Sequence, residues 1–239
     1  MSHLYNIINL YDLGYTIAGR VADVHHFLPR SGLYIIGEHF EPIRHALLGI
    51  KGSRPETLKY VHSHVHAIPQ CRNIIKEMRL SACVQTDTAG AAAIVAQKND
   101  PAHGAIASSL AAQIYGLDIL IDNIQDSAHN MTRFLVLSKE HQIPLYRKED
   151  KVLTSLVYTV RNIPAALYKS LGGFATNGVS IAKLESYVGE GFSVARFYAE
   201  PEAHPDNPSM QQAFDELKFY ADDITMLGTY PAHPLRFSS

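Results

Sequence analysis

Thr132, Arg133 and Phe134 stand at the head of the apolar run Phe134-Leu135-Val136-Leu137, a run of the kind that forms a buried strand. From spacing alone a guanidinium there has two readings. It marks a strand entrance whose arginine points to solvent, or it lies at the rim of a ligand site, because open α/β sheets bind ligands at strand ends. In the second reading Arg133 grips a carboxylate through two parallel hydrogen bonds, Thr132 supplies one proton donor and Phe134 excludes water. A second candidate is "TDTAGAAA" (86–93), where Thr86, Asp87 and Thr88 precede an alanine-rich helix. These residues cap that helix, or the free amides of its first turn hold an anion. Asp87 would repel an anion placed too close, which leaves the threonine side.

The third candidate is "VHSHVHAIPQC" (61–71). His62, His64 and His66 alternate, and on a strand they would share a face and could reach zinc. No carboxylate or cysteine follows at ligand spacing, and Ala67-Ile68-Pro69 soon ends the strand, so no metal site is expected. Ser63 and Gln70 are neutral hydrogen-bonding groups, better suited to orienting a substrate than to ionising one. Cys71 and Cys83 form no metal-spaced pair, and neither thiol is expected to be catalytic. Such sparse cysteine usage leads us to expect a reducing, cytoplasmic location.

The chain has 239 residues, 46% of them hydrophobic, and a formal net charge of -2. That balance gives no basic field for nucleic acid or an anionic membrane surface, so small-molecule or protein partners are expected. The longest apolar stretches, such as Leu117 to Ile121, fall far short of the ~20 residues that span a bilayer.

Positioning these residues calls for alternating elements. "LYIIGEHF" (33–40), "PIRHALLGI" (42–50), "ACVQT" (82–86), "GAIAS" (104–108) and "LDILIDNI" (117–124) read as strands. "IPQCRNIIKEMR" (68–79), "DTAGAAAIVAQK" (87–98) and "SLAAQIYG" (109–116) read as helices. This alternation predicts one mainly parallel α/β layer over 17–140. The charged stretch 138–151 reads as a linker. Beyond it strand, helix, strand, strand, helix and strand follow in turn, a ferredoxin-like βαββαβ unit. Residues 1–16 fit neither pattern.

"IAGRVADVHHFLP", "IIGEHFEPIRHALL", "SHVHAIPQC", "DTAGAAAIVA", "AAQIYGLDILIDNIQDSAHNMTRFLVL", "PAALYKSLGGFATNGVSIAKLESYV" and "LGTYPAHPLR" together resemble prephenate dehydratase over residues 17–239. The resemblance implies an α/β fold. A periplasmic-binding-protein-like catalytic domain (1–140) would be followed by a ferredoxin-like regulatory domain of the ACT type (152–239). It implies decarboxylating dehydration of prephenate to phenylpyruvate in phenylalanine biosynthesis, without a metal or organic cofactor. In the family the Thr-Arg-Phe element lines the cleft between two lobes. Carried over, Thr132 protonates the leaving hydroxyl, Arg133 holds a prephenate carboxylate and Phe134 shapes the pocket. Ser63, Gln70, Thr86, Thr88 and Asn130 would contact substrate.

The family's first lobe has no counterpart in residues 1–16. Tyr15 stands where the family has a substrate-contacting Asn, and Thr16 replaces Ser. The catalytic domain is therefore expected to be incomplete and its activity compromised. In the last domain Asn162, Pro164, Ala165, Ala166, Leu167, Glu185 and Ser186 would bind L-phenylalanine as allosteric inhibitor. Ala165 replaces the Gly of the family's turn, and Tyr187-Val188 replace Arg-Pro. A homodimer or homotetramer is implied. A non-catalytic phenylalanine-binding ACT protein and an arogenate dehydratase are the alternatives.

Overall fold

Apolar residues recur with strand or helix period through most of the chain, and the elements follow them in a computed structural model that describes residues 10–12, 27–127, 130–188 and 195–237. Tyr15 and Thr16 lie outside the described residues. The strands of the first half are β1 (Leu10–Asp12), β2 (Tyr34–Pro42), β3 (Ala46–Gly49), β4 (Tyr60–His64), β5 (Ser81–Gln85), β6 (His103–Ala107), β7 (Asp118–Ile121) and β8 (Met131–Ser138). Its helices are α1 (Arg72–Glu77), α2 (Thr88–Lys98) and α3 (Ser109–Tyr115). The second half holds β9 (Val152–Val160), α4 (Ala166–Thr176), β10 (Ile181–Val188), β11 (Ala195–Pro201), α5 (Pro208–Tyr220) and β12 (Ala221–Pro231). Among the described residues no helix is long and apolar enough to cross a membrane.

The described chain divides into two compact units, 41–132 and 10–12 with 27–40 and 133–237. The first unit is a five-stranded sheet of order β5-β4-β6-β3-β7. β4 runs parallel to β5 and β6, whereas β3 runs antiparallel to β6 and β7. Period-two alternation sends Ala46, Leu48, Ala105 and Ala107 to one face, against Ala92, Val95 and Ala111. Leu47 and Ile106 go to the other, with Val61, Cys71 and Leu80. From β4 the chain steps to β5 on one side, then crosses to β6 on the other. The carboxyl ends of β4 and β6 therefore form a topological switch point, the usual ligand edge of such sheets. Ala46 pairs with Ala107, so His45 opens onto this same edge.

The second unit contains the βαββαβ segment, sheet order β10-β11-β9-β12, a ferredoxin-like arrangement as expected. One face packs on α4 and α5 through Tyr158, Phe174, Phe197, Met210 and Leu217. The other presents Leu153, Val157, Tyr198, Leu227 and Tyr230 to Ile35, Leu135 and Leu137. β9 is therefore buried along its whole length. Gly228 is required by close approach, since a Cβ there would lie 2.0 Å from the Ile35 carbonyl oxygen.

Three expectations change. The single mainly parallel layer over 17–140 is not formed: β2 and β8 join β1 in a separate sheet of order β1-β8-β2, and β3 and β7 run antiparallel to their neighbours. β8 leaves that layer because Leu135 and Leu137 find their apolar partners on β9, β11 and β12. Stretch 138–151 consequently lies within the second unit instead of joining two units. The helix over 68–79 splits into a 3-10 turn, Ile68–Cys71, and α1, with the break at Cys71, whose φ -126° and ψ 31° lie outside the helical region.

Candidate active site

Gln70 sits in the 3-10 turn after β4, with 4% of its surface exposed. Its Oε1 accepts from Asn130 Nδ2 at 2.7 Å and from His45 Nε2 at 2.8 Å. Segment 124–126 laces this cluster together. Ile124 N donates to the His45 carbonyl, Gln125 Oε1 accepts from His45 N, and Asp126 N donates to the Gln70 carbonyl. The Asp126 carboxylate accepts from the amides of Arg72 and Asn73, a negative charge at the positive end of α1. Burial holds the His45 imidazole below its ordinary 6.5 despite its bond to Gln70, so the ring is neutral. Asn130 is 5% exposed and its carbonyl oxygen accepts from Ile43 N. Thr132, two residues further on, is also buried.

The other expected contacts are placed differently. Ser63 donates its proton to the Ile106 carbonyl at 2.6 Å, tying β4 to β6, so only its acceptor side is left for a substrate. Thr86 and Thr88 flank Asp87, whose carboxylate caps α2 through Gly90 N at 2.6 Å. Asp87 is thus the cap of α2. His66 lies beyond the end of β4 and shares no strand face with His62 and His64. Gln85 Nε2 donates to His62 Nδ1, so His62 Nε2 carries the proton and donates to His103 Nδ1. Among the described residues no group of three His, Cys, Asp or Glu side chains is placed to hold a metal. Cys71 is fully buried, and burial with the Asp126 charge pushes its thiol up to about 12.

Arg133 departs from both sequence readings. It shares a strand face with Leu135 and Leu137 and enters the core with them, 2% exposed. Its Nε donates to Glu38 at 2.6 Å, Nη1 to both oxygens of Glu200 at 2.8 and 2.9 Å, and Nη2 to the Tyr230 hydroxyl at 2.9 Å. Arg236 also holds Glu38, through Nε at 2.7 Å and Nη2 at 2.9 Å. Tyr198 donates to Glu200 as well. Two carboxylates and two guanidiniums thus balance in charge. Burial works against the charge of Arg133, but Glu200 outweighs it and raises its pKa. A substrate carboxylate would have to displace Glu38 or Glu200 to be clamped. Phe134, half-buried, faces away from this network as Thr132 does. Sequence reasoning gave no role to His45, Glu38, Glu200 or Arg236. For Glu38 and Glu200 the available signal was a carboxylate inside an apolar strand pattern.

In the last segment Asn162, Pro164 and Ala165 form an exposed turn after β9, Ala166 is buried, and Leu167 is exposed at the start of α4. Ala165 adopts φ 58° and ψ 27°, the left-handed region where the family's glycine is at ease. Glu185, ion-paired to Lys183 at 3.3 Å, and the exposed Ser186 lie on edge strand β10. Within one chain the two groups are not brought together, because β11 intervenes and Glu185 is in register with Val157, not with the end of β9.

The profile of the family described as prephenate dehydratase matches residues 14–142. A bifunctional N-acyl-homoserine lactone acylase/prephenate dehydratase of Komagataeibacter europaeus is 45% identical over 222 residues, covering 92% of this chain and 79% of that protein. Arogenate dehydratase/prephenate dehydratase 1, chloroplastic, of Arabidopsis thaliana is 35% identical over 92% of this chain, which spans 60% of the plant protein. A solved structure of GqqA, described as a novel type of quorum quenching acylase, superposes with TM-score 0.84 and 43% identity, covering 96% of this chain and 83% of that one. Prephenate dehydratase of Arthrobacter aurescens in complex with L-Phe shares the fold at TM-score 0.83 and 24% identity, over 93% of this chain and 74% of that one. The chain belongs to the prephenate dehydratase family.

Proposed function

We propose that this chain is a prephenate dehydratase. The observation that carries this reading is the buried, uncharged hydrogen-bonded group of His45, Gln70 and Asn130 beside the carboxyl edge, two residues from the hydroxyl of Thr132. Thr132 gives its proton to the ring hydroxyl, which departs as water when the C–O bond breaks, and solvent returns a proton to the threonine oxygen. The ring carboxylate leaves as carbon dioxide, and the electron pair of its C–C bond completes the aromatic ring. The driving force is aromatisation, so the protein's task is to orient the substrate and protonate the leaving group. Gln70 and Asn130 do the orienting, and Arg133 anchors its strand without touching substrate. Neither Ser63, which donates to Ile106, nor the Cys71 thiol, pushed up to about 12, is placed as a nucleophile for the acylase activity named for the Komagataeibacter relative. Incubation with prephenate and with arogenate separates the two dehydratase substrates: phenylpyruvate is expected from the first, and phenylalanine from the second alone would replace this reading by the arogenate one.

The segment 152–239 is, in the same proposal, a regulatory ACT domain that binds L-phenylalanine through Asn162 to Leu167 and Glu185-Ser186. Because one chain does not juxtapose these groups, the site draws on a second copy. Millimolar phenylalanine should raise the melting temperature of the full chain by linkage, and Glu185→Ala should abolish the shift. An unchanged melting temperature would leave the domain without this ligand.

A further inference from the structure

We propose that His45 is a positioning residue for the dehydratase reaction, holding the Gln70 carboxamide by Oε1 so that its NH2 meets a substrate carboxylate while Asn130 Oδ1 meets a substrate hydroxyl. The inference rests on the dehydratase reading and adds to it the polarity of the site. Gln70 Oε1 cannot donate, so the 2.8 Å contact fixes the proton of His45 on Nε2. The second lone pair of the same oxygen takes Asn130 Nδ2 at 2.7 Å. With its oxygen fully engaged, Gln70 has only N–H groups to offer a ligand. Asn130 is the converse case, since Oδ1 is buried without a hydrogen-bond partner. A buried carbonyl oxygen in that condition calls for a donor, and a hydroxyl on the ligand supplies one. The site therefore selects a molecule carrying an anionic group and a hydroxyl together.

His45 is fixed well enough to impose this polarity. Its backbone is held on both sides, N–H to Gln125 Oε1 at 3.0 Å and carbonyl from Ile124 N at 2.9 Å, and only 7% of its surface is exposed. Burial keeps the ring neutral, so it directs a dipole without adding a charge to the site.

A double-mutant cycle on the full chain tests the assignment, with phenylpyruvate formation and thermal melts recorded for His45→Phe, His45→Gln, Gln70→Ala and His45→Phe/Gln70→Ala. Acting through Gln70, His45→Phe should raise KM about tenfold with kcat within about twofold, and His45→Gln should recover most of the loss. In the Gln70→Ala background His45→Phe should change KM less than about twofold. Imidazole 15N shifts, which need no turnover, should report the Nε2-protonated tautomer and move in Gln70→Ala. An active chain in which the two KM costs add, or whose His45 is protonated on Nδ1, would overturn the positioning role alone. A wild-type chain that leaves prephenate unconverted would overturn the dehydratase reading and this inference with it.

Discussion

Because successive side chains on a strand face opposite ways, Thr132 and Arg133 cannot serve the same site from one strand, and β8 gives them separate tasks. The guanidinium goes with Leu135 and Leu137 into a core where Glu38 and Glu200 neutralise it. Removing it would leave two carboxylates sharing one remaining guanidinium. Arg133→Leu should cost about 3–5 kcal/mol of stability, the loss typical of breaking a buried pair, as read from urea unfolding. An unfolding midpoint equal to that of wild type would show that the network carries no such weight. The alternation of β8 was readable from "TRFLVL". The partners were not, because Glu38 and Glu200 lie 95 and 67 residues away in sequence. His45 escaped notice because "PIRHALLGI" reads as one strand, whereas β3 begins only at Ala46 and leaves the histidine at the edge.

At the scale of elements, the charge network ties β2, β8 and β11 to the 3-10 turn Pro234–Arg236. Burial alone would raise the Glu38 carboxyl, but the Arg236 hydrogen bond, the Arg133 charge and the His233 amide outweigh it and hold it below 4.5. A carboxyl depressed in the folded state contributes stability that is complete above 4.5 and is lost as pH falls below it toward the folded value. The melting temperature should therefore drop below pH 4.5 more steeply in wild type than in Glu38→Gln, and parallel profiles would remove Glu38 from the account. Periodicity located most elements to within a few residues, and the βαββαβ order was legible because each helix and strand has its own period. Sheet membership was not. β2 and β8 look like further strands of the first layer until their apolar faces are matched with β9 and β12.

For the whole molecule, the core shared by Ile35, Leu135, Leu137, Leu153, Tyr198 and Tyr230 means that stretch 138–151 connects parts of one unit. Trypsin should still cut near the exposed Arg147 and Lys151, but the fragments should remain together on gel filtration until denaturant is added. Separate elution of a folded fragment starting near Val152 would restore the linker as a boundary between independent cores. The charge run of 138–151 suggested such a boundary, and only long-range packing decides against it. The proposed chemistry comes chiefly from the family resemblance, which pointed to Thr132, Gln70 and Asn130. Gln70 reaches the carboxyl edge in the turn that follows β4, and Asn130 meets it there through its hydrogen bond to Gln70. The central claim is that Thr132 acts as proton donor in prephenate dehydration, and steady-state phenylpyruvate formation by the full chain and by Thr132→Ala tests it most directly. The expected result is measurable turnover by the wild-type chain, with kcat lowered about 10²-fold or more in Thr132→Ala and KM within about twofold. Equal kcat in the two proteins, or no phenylpyruvate from either, would contradict it.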